Sequence, residues 1–153
     1  AYCYYNEAPV YSLDATNTYR AIKELQSFIN RCPKSERVKK CNILIDELRS
    51  KLSLKAFENA KQYYTTANYK SAIIALENLL TDFPSLKNRE EVYFLIVNSR
   101  YLLAINSINE KIETRLRETL ESYSHFKDNY PNSIYLEELD VTYHKTTKML
   151  NKK

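Results

Sequence analysis

Residues 63–84, YYTTANYKSAIIALENLLTDFP, decide the fold because they contain three helix ends in a short space. From Tyr69 to Phe83, apolar residues recur at the spacing of an amphipathic helix. Ala67 and Asn68 before it predict a tight turn. Pro84 ends the helix, because proline cannot donate a backbone hydrogen bond. The stretch therefore predicts the end of one helix, a turn and a complete second helix.

Pro84 is one of three prolines that share their surroundings. Pro33, Pro84 and Pro131 lie 84 − 33 = 51 and 131 − 84 = 47 residues apart, and similar residues precede each of them at the same distances. A pair of helices of this kind cannot bury its apolar face alone, so successive pairs must stack into a solenoid. Counted back from the proline by one, five, eight, eleven and twelve residues, the matched sets are Cys32, Phe83 and Tyr130; Phe28, Leu79 and Phe126; Leu25, Leu76 and Tyr123; Ile22, Ile73 and Leu120; and Ala21, Ala72 and Thr119.

Helical periodicity continues over nearly the whole chain. From Ser35, a plausible N-cap, to about Thr66 it predicts one long helix or two nearly collinear ones. The segment 85–107 is apolar almost all round, which predicts a helix buried between neighbours. The chain has no glycine, so we expect asparagine at left-handed positions.

The middle copy resembles the tetratricopeptide (TPR) repeat. We therefore predict an all-α fold, a right-handed α-solenoid of stacked TPR-like helical hairpins with one long shared helix. We expect a single domain over residues 1–153 that forms the C-terminal portion of a longer protein. The residues that carry the TPR resemblance are Ala60, Tyr63, Tyr69, Ala72, Leu76, Leu79 and Pro84.

Most of the chain also resembles the BamD family, the TPR lipoproteins of the outer-membrane β-barrel assembly machinery. LIDELRSKLSLKAFENAKQYY at 44–64, ANYKSAI at 67–73 and DFPSLKNREE at 82–91 are the most specific parts. The resemblance implies a non-enzymatic scaffold at the periplasmic face of the outer membrane. It also implies partners: the POTRA region of BamA, other assembly lipoproteins and unfolded barrel substrates.

Two features depart from the family pattern. No lipobox precedes Cys3, so we expect the lipid anchor, the one link to the membrane, and the first repeats to be missing from this chain. The segment 117–150 adds a further C-terminal repeat that shorter members of the family lack.

Charge argues against nucleic acid as a partner. The net charge of +4 comes from 23 Lys and Arg against 19 Asp and Glu, and the signs alternate along the sequence, as on solvated helix faces. RNA binding would require clustered cations and would depend steeply on salt. The remaining alternative is another envelope or cytosolic TPR adaptor, such as a cell-division or peptidoglycan-linked factor or a peptide-binding cochaperone.

No residue pattern predicts catalysis, a cofactor or a metal site. Cys3, Cys32 and Cys41 lack metal spacing, and we expect small buried hydrophobes, with a Cys32–Cys41 bridge as the alternative. His125 and His144 are predicted to be surface residues. The pairs Glu90–Glu91 and Glu137–Glu138 are adjacent in sequence, so each pair points to two helix faces.

The predicted functional surface is a protein-binding one. The 14 tyrosines exceed what a small helical core can satisfy, and tyrosine and arginine are favoured interface anchors. Arg89, Tyr93 and Arg100 are spaced to share one helix face, and Tyr64 precedes them on another helix. We expect these four residues to bind a partner. The alternative is that each tyrosine only packs between repeats.

Overall fold

The computed structural model describes residues 15–151, and this part of the chain is 82% helical with no strand. The predicted all-α class is therefore confirmed. The six helices of the described residues are α1 Thr16–Arg31, α2 Val38–Thr65, α3 Tyr69–Asp82, α4 Arg89–Ile105, α5 Asn109–Asn129 and α6 Leu136–Asn151.

The chain divides into two compact units, residues 1–56 and 57–153, and α2 crosses the division. In unit 1, the small and apolar face of α1 packs on α2 around Ala21, Leu25 and Leu48. In unit 2, α3 packs on α4, α4 on α5, and α6 on both α5 and α4. This packing of each helix on the next is consistent with stacked TPR-like hairpins, whereas the single domain and the right-handed superhelix stay predictions.

The long helix is continuous. Residues 38–65 form one helix, α2, so the first of the two predicted forms is correct. Ser35 lies outside its first turn, where the Ser35 hydroxyl accepts the Arg37 backbone N–H at 3.3 Å and the Ser35 carbonyl accepts that of Val38 at 3.0 Å. Ser35 therefore shapes the approach to the helix rather than capping it directly.

Helix α4 is buried on all sides, as its composition predicts. The five consecutive residues from Leu95 to Ser99 are all buried. Ser99 is fully buried, and its hydroxyl is the one buried side-chain polar atom without a hydrogen-bond partner in the described residues. We infer that small size, which lets neighbouring helices approach closely, selects the residue at this position.

The three proline-ended turns have the same backbone structure. In each, the residue before the proline has φ between −126° and −134° and donates its N–H to the carbonyl four residues earlier. Its own carbonyl accepts the N–H of the residue two beyond the proline, at 3.0 to 3.1 Å. The prolines at 33, 84 and 131 therefore mark a structural repeat as well as a sequence repeat. The second set of bonds joins Ser35 to Cys32, Leu86 to Phe83, and Ser133 to Tyr130.

The left-handed position in the described chain is an alanine, so the expectation of asparagine was wrong. Ala67 has φ 59° at the end of α2. Its N–H bonds to the Tyr64 carbonyl at 3.1 Å, and the Asn68 N–H bonds to the Tyr63 carbonyl at 2.9 Å. These two bonds form a Schellman motif, in which the left-handed residue comes one position before asparagine.

The cysteine expectation was correct at one position and wrong at another. Cys41 is buried in unit 1, as predicted, but Cys32 is exposed, and both are free thiols, so the alternative Cys32–Cys41 bridge is not formed. Cys32 occupies the position of Phe83 and Tyr130 in the turn, but that position is only half-buried in the other copies. Cys3 lies outside the described residues.

Among residues 15–151, no helix combines the length and apolar character that a membrane crossing requires.

Replacing Ala67 by glycine should stabilise the protein. A side chain at φ 59° costs about 1 kcal/mol that glycine avoids, so Ala67→Gly should raise the free energy of unfolding by up to about 1 kcal/mol. Ala75→Gly, in the right-handed interior of α3, is the matched control and should lower it by a similar amount. Urea unfolding measures both, and a loss of stability in Ala67→Gly would contradict the proposed strain.

Candidate protein-binding faces

Helix α4 brings three of the four predicted residues to one side of unit 2. Arg89, Tyr93 and Arg100 lie on α4, and Tyr93 and Arg100 line a cleft of about 300 Å³. We call it the α4 cleft. It lies between α3 and α5 and is floored by α4, with Glu77 and Leu80 from α3 and Glu121 and His125 from α5 among its lining residues.

Arg100 spans the α4 cleft. Its Nη2 lies 2.7 Å from Glu77 Oε1 on α3, and its Nη1 donates to the Glu118 carbonyl on α5 at 3.4 Å. The Arg100 side chain is 26% exposed and that of Glu77 is 46% exposed. The guanidinium therefore joins three helices and has a partner within the fold.

Arg89 binds the end of the preceding helix. Its Nη1 donates to the Pro84 carbonyl at 3.2 Å and to the Leu80 carbonyl at 3.4 Å. Carbonyls at a helix C-terminus lack intrahelical partners and attract cations. The Arg89 guanidinium also lies 5.8 Å from the Tyr93 ring centroid, and its Nη2 lies 3.4 Å from the Tyr93 hydroxyl.

The Tyr93 ring packs among aromatic neighbours. Its centroid lies 5.1 Å from that of His125 and 5.9 Å from that of Tyr130, and Tyr93 packs against the core of unit 2. These contacts favour the interpretation that Tyr93 packs between repeats. Tyr93 also lines the α4 cleft. Whether Arg89, Tyr93 and Arg100 also bind a partner stays a prediction.

Tyr64 lies on a different face. Its ring meets that of Tyr69 edge-on at 6.0 Å. Burial raises the pKa of Tyr64, and the charge of Glu138 on α6 raises it further. Asn98 of α4 donates to Glu138 Oε1 at 3.3 Å. Tyr64 and the exposed Glu138 therefore mark a second face, which we call the Tyr64 face, while Asn98 itself is buried. Tyr64 does not line the α4 cleft.

Sequence reasoning missed a polar cluster between α5 and α6. The Tyr123 hydroxyl donates to Asp140, and Lys127 Nζ lies 3.1 Å from that hydroxyl and 5.6 Å from the Tyr123 ring centroid. Tyr123 also stacks on Tyr143, with 4.7 Å between ring centroids. The Tyr123–Lys127 spacing of four residues was visible in the sequence, but Asp140 is brought near only by packing.

The structure also shows where the predicted surface histidines and two of the paired glutamates lie. His125 and His144 are exposed, as expected. Glu91 pairs with Lys61 at 3.2 Å, and Glu138 accepts from Asn98. Within residues 15–151, no three side chains of the metal-binding types come together in a group that could hold an ion.

Comparison with known proteins adds a family assignment. The family model described as "YfiO: Outer membrane lipoprotein" matches residues 4–153, which is almost the whole chain. No curated protein matches the chain.

Loss of the Arg100 side chain should destabilise unit 2. Arg100→Ala removes a partly buried ion pair and a hydrogen bond to a backbone carbonyl, so it should lower the free energy of unfolding by about 1 kcal/mol after allowance for solvent screening. The matched control is Arg117→Ala, which removes an exposed i,i+4 pair with Glu113 and should cost less than about 0.5 kcal/mol. Equal losses in urea unfolding would contradict a linking role for Arg100.

Stability should fall at high pH through Tyr123. Burial, followed by the hydrogen bond to Asp140, raises the pKa of Tyr123 above its ordinary value, although Lys127 opposes this shift. A raised pKa means that the folded state holds the proton more tightly. The stabilisation is therefore complete below the unfolded pKa of about 10 and is lost as pH rises through the folded pKa.

Urea unfolding between about pH 9 and pH 11 tests this pH dependence. Tyr123→Phe should lose less stability over that interval than the unchanged protein. Tyr19→Phe, at a tyrosine that is 60% exposed, should follow the unchanged protein. Parallel curves for the Tyr123→Phe variant and the unchanged protein would refute the assignment to Tyr123.

Proposed function

Because this chain belongs to the YfiO family of outer membrane lipoproteins, we propose that it is a non-enzymatic scaffold of the outer-membrane β-barrel assembly complex. The family match over residues 4–153 carries the proposal. The segments 44–64, 67–73 and 82–91, which resemble the BamD family, support it independently of the fold. We place its action at the periplasmic face of the outer membrane.

The packing of unit 2 suits such a role. Arg89 and Arg100 are bonded to neighbouring helices, and Tyr123, Lys127 and Asp140 join α5 to α6. These bonds fix the helices relative to one another within the unit, so the exposed faces are preorganised and lose little entropy on binding. We propose that the α4 cleft and the Tyr64 face are two surfaces available to partners.

The proposed partners are proteins. We propose the POTRA region of BamA as the first of them, with other lipoproteins of the machinery and unfolded barrel substrates as further ones. The Tyr64 face combines the amphipathic ring of Tyr64 with the exposed carboxylate of Glu138. Tyrosines in this setting are frequent hot spots of protein interfaces.

The test is association with the soluble POTRA region of BamA from the same organism, measured by sedimentation velocity. We expect a complex, and we expect Tyr64→Ala to weaken it by about tenfold or more. Tyr63→Ala is the matched control, since Tyr63 is the adjacent tyrosine, is 43% exposed and should leave affinity nearly unchanged. Circular dichroism melting checks that both variants stay folded.

Each outcome has a distinct meaning. Absence of a complex, or a cytosolic start in the complete gene, would overturn the scaffold proposal in favour of another TPR adaptor. A complex that Tyr64→Ala leaves intact would keep the scaffold and exclude the Tyr64 face as the contact with BamA.

A further inference from the structure

Unit 1 has an open groove that the proposed function does not use. It has a volume of about 540 Å³ and is lined by one face of α1 and by Arg49 of α2. We call it the α1 groove. Its charged lining residues are Lys23, Arg31 and Arg49, and it contains no carboxylate.

The α1 groove and the α4 cleft occupy equivalent places in the repeat. The shift of 51 residues that carries Pro33 onto Pro84 also carries Gln26 onto Glu77 and Arg49 onto Arg100. Gln26 and Arg49 both line the α1 groove, just as Glu77 and Arg100 both line the α4 cleft. The two sites can therefore be compared residue by residue.

The comparison shows one chemical difference. In the α4 cleft, Glu77 supplies a carboxylate to Arg100 at 2.7 Å. In the α1 groove the equivalent residue is an amide, Gln26, whose Nε2 donates to Asn30 Oδ1 on its own helix at 3.3 Å. Arg49 has no ion-pair partner among the described residues. The repeat thus retains the arginine at this position but lacks the acid that neutralises it.

The other lining residues of the α1 groove also favour an anionic occupant. Lys23 and Arg31 are exposed and likewise have no ion-pair partner within residues 15–151. Along the rest of the chain the charges alternate in sign, so three cations without an acid stand out. Tyr19, which is 60% exposed, and the half-buried Ile22 supply apolar surface beside them. Together these residues favour an occupant that carries both carboxylates and apolar side chains.

We propose that the α1 groove binds an acidic segment of a partner protein, one carboxylate of which pairs with Arg49 as Glu77 pairs with Arg100. This deepens the proposed scaffold function and rests on it, since both require a protein partner. The volume suits a few side chains, and the equivalent position takes a single carboxylate. An RNA would require a longer cationic stripe, and an anionic membrane would require a larger apolar face than Tyr19 and Ile22 provide.

The direct test uses two synthetic fluorescein-labelled peptides in anisotropy titrations of the full chain. One repeats glutamate and leucine, and the other replaces every glutamate by glutamine. We expect the acidic peptide to bind about tenfold or more tightly than its glutamine counterpart, because charge-assisted bonds to Arg49 and its neighbours are lost with the carboxylates.

A single substitution should block peptide binding to the α1 groove in the same assay. Gln26→Glu places on unit 1 the carboxylate that Glu77 places on unit 2, so it should pair with Arg49 and weaken the acidic peptide about tenfold. Arg49→Gln should weaken it to a similar extent. The matched control is Gln62→Glu, the same change at an exposed position of α2 outside the groove, which should alter affinity by less than about twofold.

Several results would overturn the proposal. They are equal binding of the two peptides, equal effects of Gln26→Glu and Gln62→Glu, or tighter binding to RNA or to anionic lipid vesicles than to the acidic peptide. All substituted positions are exposed, and circular dichroism verifies folding. Because the assay contains no BamA, peptide binding with no BamA complex would overturn only the assembly-complex scaffold, and the reverse result would overturn only the groove.

Discussion

The structure depends on one repeated constraint, the turn at which proline ends a helix. Proline has no N–H, so the helical hydrogen-bond pattern stops there, and the residue before it is forced out of the helical region. The freed carbonyl of that residue accepts the N–H two positions beyond the proline in all three copies. This bond sets the direction in which the chain leaves, and thereby where the next helix begins. In unit 2 the turns at Pro84 and Pro131 join α3 to α4 and α5 to α6 in this way.

Polar contacts between helices then hold the helices in the arrangement that the turns produce. Arg89 occupies the carbonyls at the end of α3, and Arg100 joins α3 to α5 across α4. Tyr123 and Asp140 join α5 to α6. None of these groups is individually worth much in partly exposed surroundings. They matter because each joins neighbouring helices and so restricts their relative movement.

The helices, the proline repeat and the burial of α4 could be predicted because hydrophobic periodicity is a local property of the sequence. Other features depend on what packs nearby, and there the sequence was insufficient. The match of Cys32 to Phe83 and Tyr130 identified its position in the turn but not its exposure. Helical spacing placed Arg89, Tyr93 and Arg100 on one helix correctly, yet it could not show that both arginines bind neighbouring helices.

The two equivalent sites show how one repeat position can contribute to stability in one copy and to binding in another. A cation at Arg100 that is neutralised by Glu77 within the fold contributes to the packing of unit 2. The same cation at Arg49, opposite an amide rather than an acid, contributes little to folding and keeps its charge available to another molecule. A single amide-to-carboxylate difference at one repeat position is enough to change the role of its partner arginine. Because the backbone repeat holds both arginines in equivalent places, such a change leaves the scaffold itself intact.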